Sequence, residues 1–399
     1  MNNPQKLIMN IKITFLLLLI SNYFFSQTIN PEKLDQYFSY IEKNNLGVGS
    51  LSIFQNGKEV YSKNFGQKNI PEFTYHKDTK YQVGSVTKMI TAVLIFKLIE
   101  ENKLTLNTQL SEFYPEIPNS DKITIKNLLE HTSGLGSYVV KDGKVWVTNK
   151  VSDQEIMDLI IKQGKSFEPG EKVAYSNSAY YLLTKILETK YKKTFYKIVQ
   201  SEIIKPLQLK NLTPFKAHQK NIFLPYRYEN NSWSMLKEEI DFLNVIGVGD
   251  ISSTPYDLNI FINSLFHNAI LKKETLKLME PVLGKENWGR GMAIWDFDGI
   301  TFYEADLSIA YDTNGERINK EDFIKNVFRI PLWLNQDSNL SLKIQPSSNT
   351  TIFKGSFAMS VCRFGPFDEA RITSCSSLTQ IFSSPLAFTG AETKAASNL

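Results

Sequence analysis

The chain has 399 residues, 45 of them basic and 41 acidic, a formal net charge of +4 and 42% hydrophobic residues. That length can build a large core with two lobes. The charges are interspersed without a long basic run, which argues against a nucleic-acid partner. His76, His131, His218 and His267 are scattered without a ligand spacing, so neither a metal nor a cofactor is expected.

At the N-terminus, Lys6 and Lys12 precede an apolar run from Ile13 to Ile20, and Ser26-Gln27 offers a cleavage point. This is the layout of a secretory signal peptide over residues 1–26, and it predicts a secreted or periplasmic protein. The apolar run is short for a bilayer span, and no cysteine stands near the cut, so no stable membrane anchor is expected. A short buried or amphipathic helix is the alternative for this run.

The spacing then predicts a helix from Pro31 to Asn44 with Leu34, Tyr37, Phe38 and Ile41 on one stripe. Val48–Phe54 and Glu59–Phe65 alternate apolar residues around Asn56-Gly57, a hairpin signal. A short strand-like run, Thr79 to Gly84, leads to Ser85-Val86-Thr87-Lys88 and then to Met89–Ile99, apolar almost all round and so a buried helix. Residues three apart on a helix share a face, which sets Lys88 beside the Ser85 hydroxyl. A serine becomes a nucleophile only when a neighbouring base takes its proton, and a shielded lysine has the lowered pKa that suits this. Ser85 could equally be an N-cap on local signal alone. Ser234-Met235-Leu236-Lys237 repeats the spacing in a polar turn, where Ser234 reads as surface.

Further helices are expected at Ile125–His131, Ser152–Gln163, Ser178–Tyr191, Phe195–Ile204 and Pro255–Phe266. Gly134 reads as a C-terminal stop, so that His131 ends a helix instead of catalysing. Between them, Pro169-Gly170 marks a turn, Lys172–Tyr175 looks extended, and Ser176 or Asn177 caps the next helix. Tyr175-Ser176-Asn177 thus presents a phenol and a carboxamide to one space. Beside a lysine ammonium the phenol would have a depressed pKa, and the amide of Asn177 can both donate to and accept from a substrate amide. Tyr228-Glu229-Asn230 repeats the spacing in a segment that reads as a hairpin. The stripe Leu258, Phe261, Ile262 and Leu265 reads as core rather than interface. Strands return at Trp288–Phe297 and Leu307–Tyr311, before a helix at Lys320–Phe328. Strands at both ends around a helical middle imply one sheet closed by distant segments, an α/β (α+β) fold.

Gly84-Ser85-Val86-Thr87-Lys88, Leu128-Leu129-Glu130-His131-Thr132-Ser133-Gly134-Leu135, Tyr175-Ser176-Asn177 and Gly247-Val248-Gly249-Asp250-Ile251-Ser252-Ser253-Thr254-Pro255 together resemble the serine β-lactamase and penicillin-binding-protein superfamily, specifically its class C β-lactamase-like branch. The resemblance implies an antiparallel sheet flanked by helices with an inserted all-helical lobe and the active site between them. It makes Ser85 the acylated nucleophile, Lys88 and Tyr175 the managers of its proton, and Asn177 the residue that positions the substrate amide. It implies a small-molecule or peptide substrate: a β-lactam, a D-amino-acid (cell-wall) peptide or an ester. The expected organisation is a hydrolase domain over residues 27–335, with a sheet lobe at about 27–84 and 245–335 and a helical lobe at about 85–244.

One departure matters. The family carries Lys-Thr-Gly or His-x-Gly on a strand lining the site, and this chain has no histidine after His267 and neither Lys-Thr-Gly nor Lys-Ser-Gly anywhere. Either a stretch between Tyr303 and Asp306 is missing, or Tyr303-Glu304-Ala305 replaces the motif in place. Losing one oxyanion donor costs about 2.7–4 kcal/mol of transition-state stabilisation. Residues 336–399 are serine-rich, lack tyrosine and resemble nothing in the family. They read either as a loosely packed tail or as the product of a changed reading frame. Cys362 and Cys375 could pair in an oxidising compartment. Three functional readings stand at this level: an exported serine hydrolase, an impaired relative that binds penicillin or peptidoglycan without turnover, and a non-functional variant.

Overall fold

In a computed structural model the described residues are 29–55, 57–70, 72–215, 220–235, 241–279, 289–295, 307–316, 355–362 and 371–374. The first helix, α1 (Pro31–Lys43), starts at Asn30, whose side chain accepts from the Lys33 N–H, and has proline in its first turn. Its predicted stripe of Leu34, Tyr37, Phe38 and Ile41 is fully buried. Burying each such side chain contributes about 1.5–3 kcal/mol. Phe38 packs on Phe65 and Tyr61 of the adjoining hairpin, at 4.8 and 6.4 Å between ring centroids.

That hairpin is β1 (Gly47–Gln55) and β2 (Lys58–Phe65), turning at Gly57 with φ +74°. The distant strand β12 (Leu307–Glu316) closes the sheet by pairing antiparallel with β1, Leu51 against Tyr311. With β11 (Ala293–Trp295), β13 (Gly355–Cys362) and β14 (Arg371–Ser374), the order is β11-β14-β13-β12-β1-β2. The two ends of the described chain therefore share one sheet, as the strand pattern implied. Two segments of the serine-rich stretch, β13 and β14, are strands of that sheet, and β13 packs beside residues 84–86. The helix expected at 320–328, the motif replacement considered at Tyr303-Glu304-Ala305, Cys375 and the segment 1–26 lie outside the described residues.

The helical part is built on α2 (Thr87–Glu100), in which every residue from Thr87 to Phe96 is buried. Around it stand α3 (Ile125–Leu129), α4 (Asp153–Gln163), α5 (Asn177–Tyr191) and α6 (Phe195–Val199), the last running through a π-helical turn (Gln200–Ile204) into α7 (Lys205–Leu207). Ser152 heads α4 in a capping box with Glu155. Thr254 caps α8 (Pro255–Phe266), where Leu258, Phe261, Ile262 and Leu265 are wholly buried in the main core. A last helix, α9 (Lys273–Met279), packs on α2.

A second, small sheet joins the two parts. Its order is β6 (Thr213–Pro214), β10 (Ile251–Ser253), β3 (Lys80–Gln82), β7 (Ile222–Phe223), and β10 runs antiparallel to β3 with Ser252 opposite Gln82. In an antiparallel pair the residues after one strand meet those before the other. The chain entering α2 is thereby set against residues 247–250. The hairpin expected around Tyr228 is β8 (Tyr226–Glu229) with β9 (Ser232–Met235), and Ser234 is exposed on it.

Candidate active site

Ser85 sits in a single 3-10 turn, Gly84–Val86, between β3 and α2, and its side chain makes no capping hydrogen bond. The N-cap alternative is therefore set aside. Its Oγ lies 3.0 Å from Lys88 Nζ and 2.9 Å from the Tyr175 hydroxyl, so the structure brings the three sequence candidates together. Ser85 and Lys88 sit in the interior, with 2% and 1% of their surface exposed, and Tyr175 is half-buried. Lys88 Nζ is also 4.9 Å from the centre of the Tyr175 ring.

Lys88 is gripped from the far side as well. It donates to the carbonyl of Val248 at 2.9 Å, and Thr91, one turn along the same helix face, donates to the carbonyl of Gly247 at 2.7 Å. These contacts follow from the small sheet: Val83 N–H bonds Ile251 O at 3.0 Å, and Gly249 passes so near Gly84 that an added Cβ would lie 3.7 Å from the Gly84 carbonyl carbon. Gly247 is at φ +70°, and a Cβ there would fall 2.0 Å from Thr184 Oγ1, which only glycine tolerates. The Asp250 carboxylate accepts from the Gly247 N–H at 2.8 Å and steadies this turn.

Burial sets the protonation states. It pushes the Lys88 ammonium well below the usual lysine range, which favours the amine as a base. Burial pushes the Tyr175 phenol upward, and the hydrogen bond from Ser85 only partly opposes this. The phenol is therefore not depressed by a neighbouring ammonium, contrary to the sequence-based expectation. The reason is that desolvation of the phenolate outweighs any help from a neighbouring charge. Lysine, not phenolate, is the available base.

Asn177 opens α5 behind the cap Ser176, whose hydroxyl accepts from the Ala179 N–H. The Asn177 amide donates to Ser137 Oγ at 2.9 Å, while its Oδ1 is buried with no hydrogen-bond partner. Ser137 was not singled out from sequence; it lies in a loop with no periodic signal.

His131 does end its helix: α3 stops at Leu129 with Glu130 as its cap, and His131 follows in the left-handed region at φ +58°. Gly134 is not the helix stop: at φ +77°, an added Cβ would meet Phe167 O at 2.2 Å, so glycine is there for close backbone approach. Ser166 N–H bonds Gly134 O at 2.8 Å across that contact. Arg290, also missed, pairs with Glu130 at 2.6 Å. Gly291 follows Arg290 and passes over α2, where a Cβ would come within 2.4 Å of Ala92. Among the described residues no cluster of His, Cys, Asp or Glu could hold a metal ion, and no helix is long and apolar enough to cross a membrane.

Over 248 residues, 62% of each chain, the sequence is 25% identical to the putative penicillin-binding protein PbpX of Bacillus subtilis (strain 168). Over 237 residues, 59% of this chain and 57% of the relative, it is 29% identical to the teichoic acid D-alanine hydrolase of Staphylococcus aureus (strain MRSA252). The matches thus span 62% and 57% of those relatives' lengths. The fold is that of FmtA from Staphylococcus aureus, with a TM-score of 0.62 at 22% identity, covering 79% of this chain and 93% of that one. It is shared by the D-amino acid amidase from Ochrobactrum anthropi SV3, with a TM-score of 0.58 at 17% identity, covering 86% of this chain and 91% of that one. The Beta-lactamase family model matches residues 35–309, more than half of the chain, and the protein accordingly belongs to the Beta-lactamase family.

Proposed function

We propose that the protein is an exported serine hydrolase that works through an acyl-enzyme on a D-amino-acid ester, amide or peptide, or on a β-lactam. One observation carries this reading: a buried amine and a phenol both within hydrogen-bond distance of a single serine hydroxyl, at 3.0 and 2.9 Å. The similarity to a teichoic acid D-alanine hydrolase and to a D-amino acid amidase supports the substrate class.

In the proposed acylation, Lys88 holds Val248 O with one N–H and turns its lone pair to Ser85. Ser85 Oγ attacks the substrate carbonyl carbon as its proton passes to Lys88 Nζ. The tetrahedral adduct collapses, the bond to the leaving group breaks, and Tyr175 O–H protonates that group as it departs as an alcohol or amine. Lys88 returns a proton to Tyr175. Water then attacks the ester on Ser85 by the reverse proton path and releases the acid. Asn177, tied to Ser137, faces the substrate amide. General acid–base groups of this kind contribute about 10²–10⁴-fold.

The absence of Lys-Thr-Gly and His-x-Gly from the sequence favours the second reading, a relative that is acylated but turns over slowly or not at all. Intact-protein mass after incubation with benzylpenicillin and with a D-alanyl ester separates the two. Turnover abolished by Ser85→Ala supports the hydrolase. A stable adduct lost in Ser85→Ala, without turnover, supports the binding relative. Neither adduct nor hydrolysis rejects both. Export is read from residues 1–26, and N-terminal sequencing of the protein recovered outside the cytoplasm should begin near Gln27.

A further inference from the structure

Three contacts converge on His131, a residue that reacts with nothing in the scheme above. Its backbone carbonyl accepts from the Ala174 N–H at 2.9 Å, and its ring Nδ1 accepts from the Ser176 N–H at 3.1 Å. Its ring lies against the Tyr175 ring with centroids 4.6 Å apart. The residues before and after Tyr175 are thus both hung on one histidine, and the phenol between them is backed by its imidazole. The ring also meets Tyr180, 5.0 Å away, whose hydroxyl is fastened to Leu129 O at 3.0 Å. The left-handed backbone of His131 turns both its carbonyl and its ring toward that segment.

From this we infer that His131 is a positioning residue for Tyr175, fixing the phenol at Ser85 by offering two acceptors to the backbone on either side of it; the inference rests on the hydrolase reading above. An Nδ1 that accepts must be unprotonated, so the proton sits on Nε2. A cationic ring would present a donor to the Ser176 N–H and break the clamp. Burial holds the ring neutral, its pKa pushed down to about 3.

The role predicts a specific kinetic pattern. His131→Ala should lower kcat on the order of ten- to a hundredfold, since misplacing a catalytic group by about 1 Å costs this much, and leave KM within about threefold. His131→Asn, which keeps an acceptor near the Nδ1 position and tolerates the left-handed backbone, should recover at least about fivefold over His131→Ala. Because the effect passes through the phenol, His131→Ala in a Tyr175→Phe background should cost no more than about twofold. A purely structural role would instead add its full penalty there, and that result would overturn the inference. So would a folded His131→Ala with wild-type kcat. If His131→Ala does not fold, ¹⁵N-histidine NMR of the wild-type protein decides: an Nε2–H tautomer at pH 7 is expected, and a protonated Nδ1 sinks the clamp. Hydrolysis that persists in Ser85→Ala would instead reject the hydrolase reading, a separately visible outcome.

Discussion

Lys88 shows how one buried charge decides both chemistry and stability. Its amine in the folded protein titrates well below an unfolded lysine, so the folded state binds fewer protons than the unfolded chain between those two values. Stability therefore rises with pH across that window, and below it the buried ammonium is a cost. Lys88→Met removes this cost while keeping the volume. Thermal unfolding at pH 7 should show a Tm equal to or above wild type, whereas hydrolysis should fall on the order of a hundred- to ten-thousandfold. A lower Tm would mean that the bonds to Ser85 and Val248 outweigh the desolvation of the amine. For activity the sign is the same: the rate should rise as pH increases through the Lys88 pKa, because only the amine can take the Ser85 proton.

At the scale of elements, the loop before β10 matters more than its length suggests. It supplies Gly247 O and Val248 O to α2, and it fits against α5 only because Gly247 has no side chain. Gly247→Ala should destabilise the protein by about 1–3 kcal/mol through overpacking against Thr184, and lower kcat by shifting the acceptor of Lys88. Combining it with Thr184→Ala removes the atom in the way and should recover part of the stability, but not the strain of the positive φ. Denaturant unfolding of both variants checks this, and equal losses in the single and double variants would count against it.

The whole molecule carries a pH dependence through Asp250, in the turn between the two parts. Burial, with Glu188 nearby, raises its carboxyl from 3.8 to about 7 against the opposing hydrogen bond from Gly247. The folded state then holds a proton that the unfolded chain has lost, so this group's contribution to stability falls as pH rises from about 4 to about 7 and levels off above. Each pKa unit corresponds to about 1.4 kcal/mol, which makes the effect several kcal/mol. Asp250→Asn keeps an acceptor for Gly247 and should flatten the profile. The difference between variant and wild-type unfolding free energies at pH 4.5 and 7.5 measures it, and an unchanged slope would place the proton elsewhere.

Local features of this protein were legible in the sequence because their causes are local. Apolar spacing and caps gave α1 and α8 almost to the residue, and Asn56-Gly57 marked the β1–β2 turn. Ser85 with Lys88 one turn on, and Tyr175 ahead of a capped helix, were visible as motifs for the same reason. What depended on segments far apart in the chain was not visible. The antiparallel pairing of β3 with β10 alone puts Val248 O on Lys88. Desolvation, which no window of sequence records, lowers the lysine's pKa and keeps the phenol protonated. His131 was legible as the end of a helix, but its hold on Ala174 and Ser176 was not, because a later segment supplies those partners. Sequence alone determined which reactive groups the chain carries; the tertiary structure decided their charges and their company, because electrostatics and hydrogen bonding act through space and not along the chain.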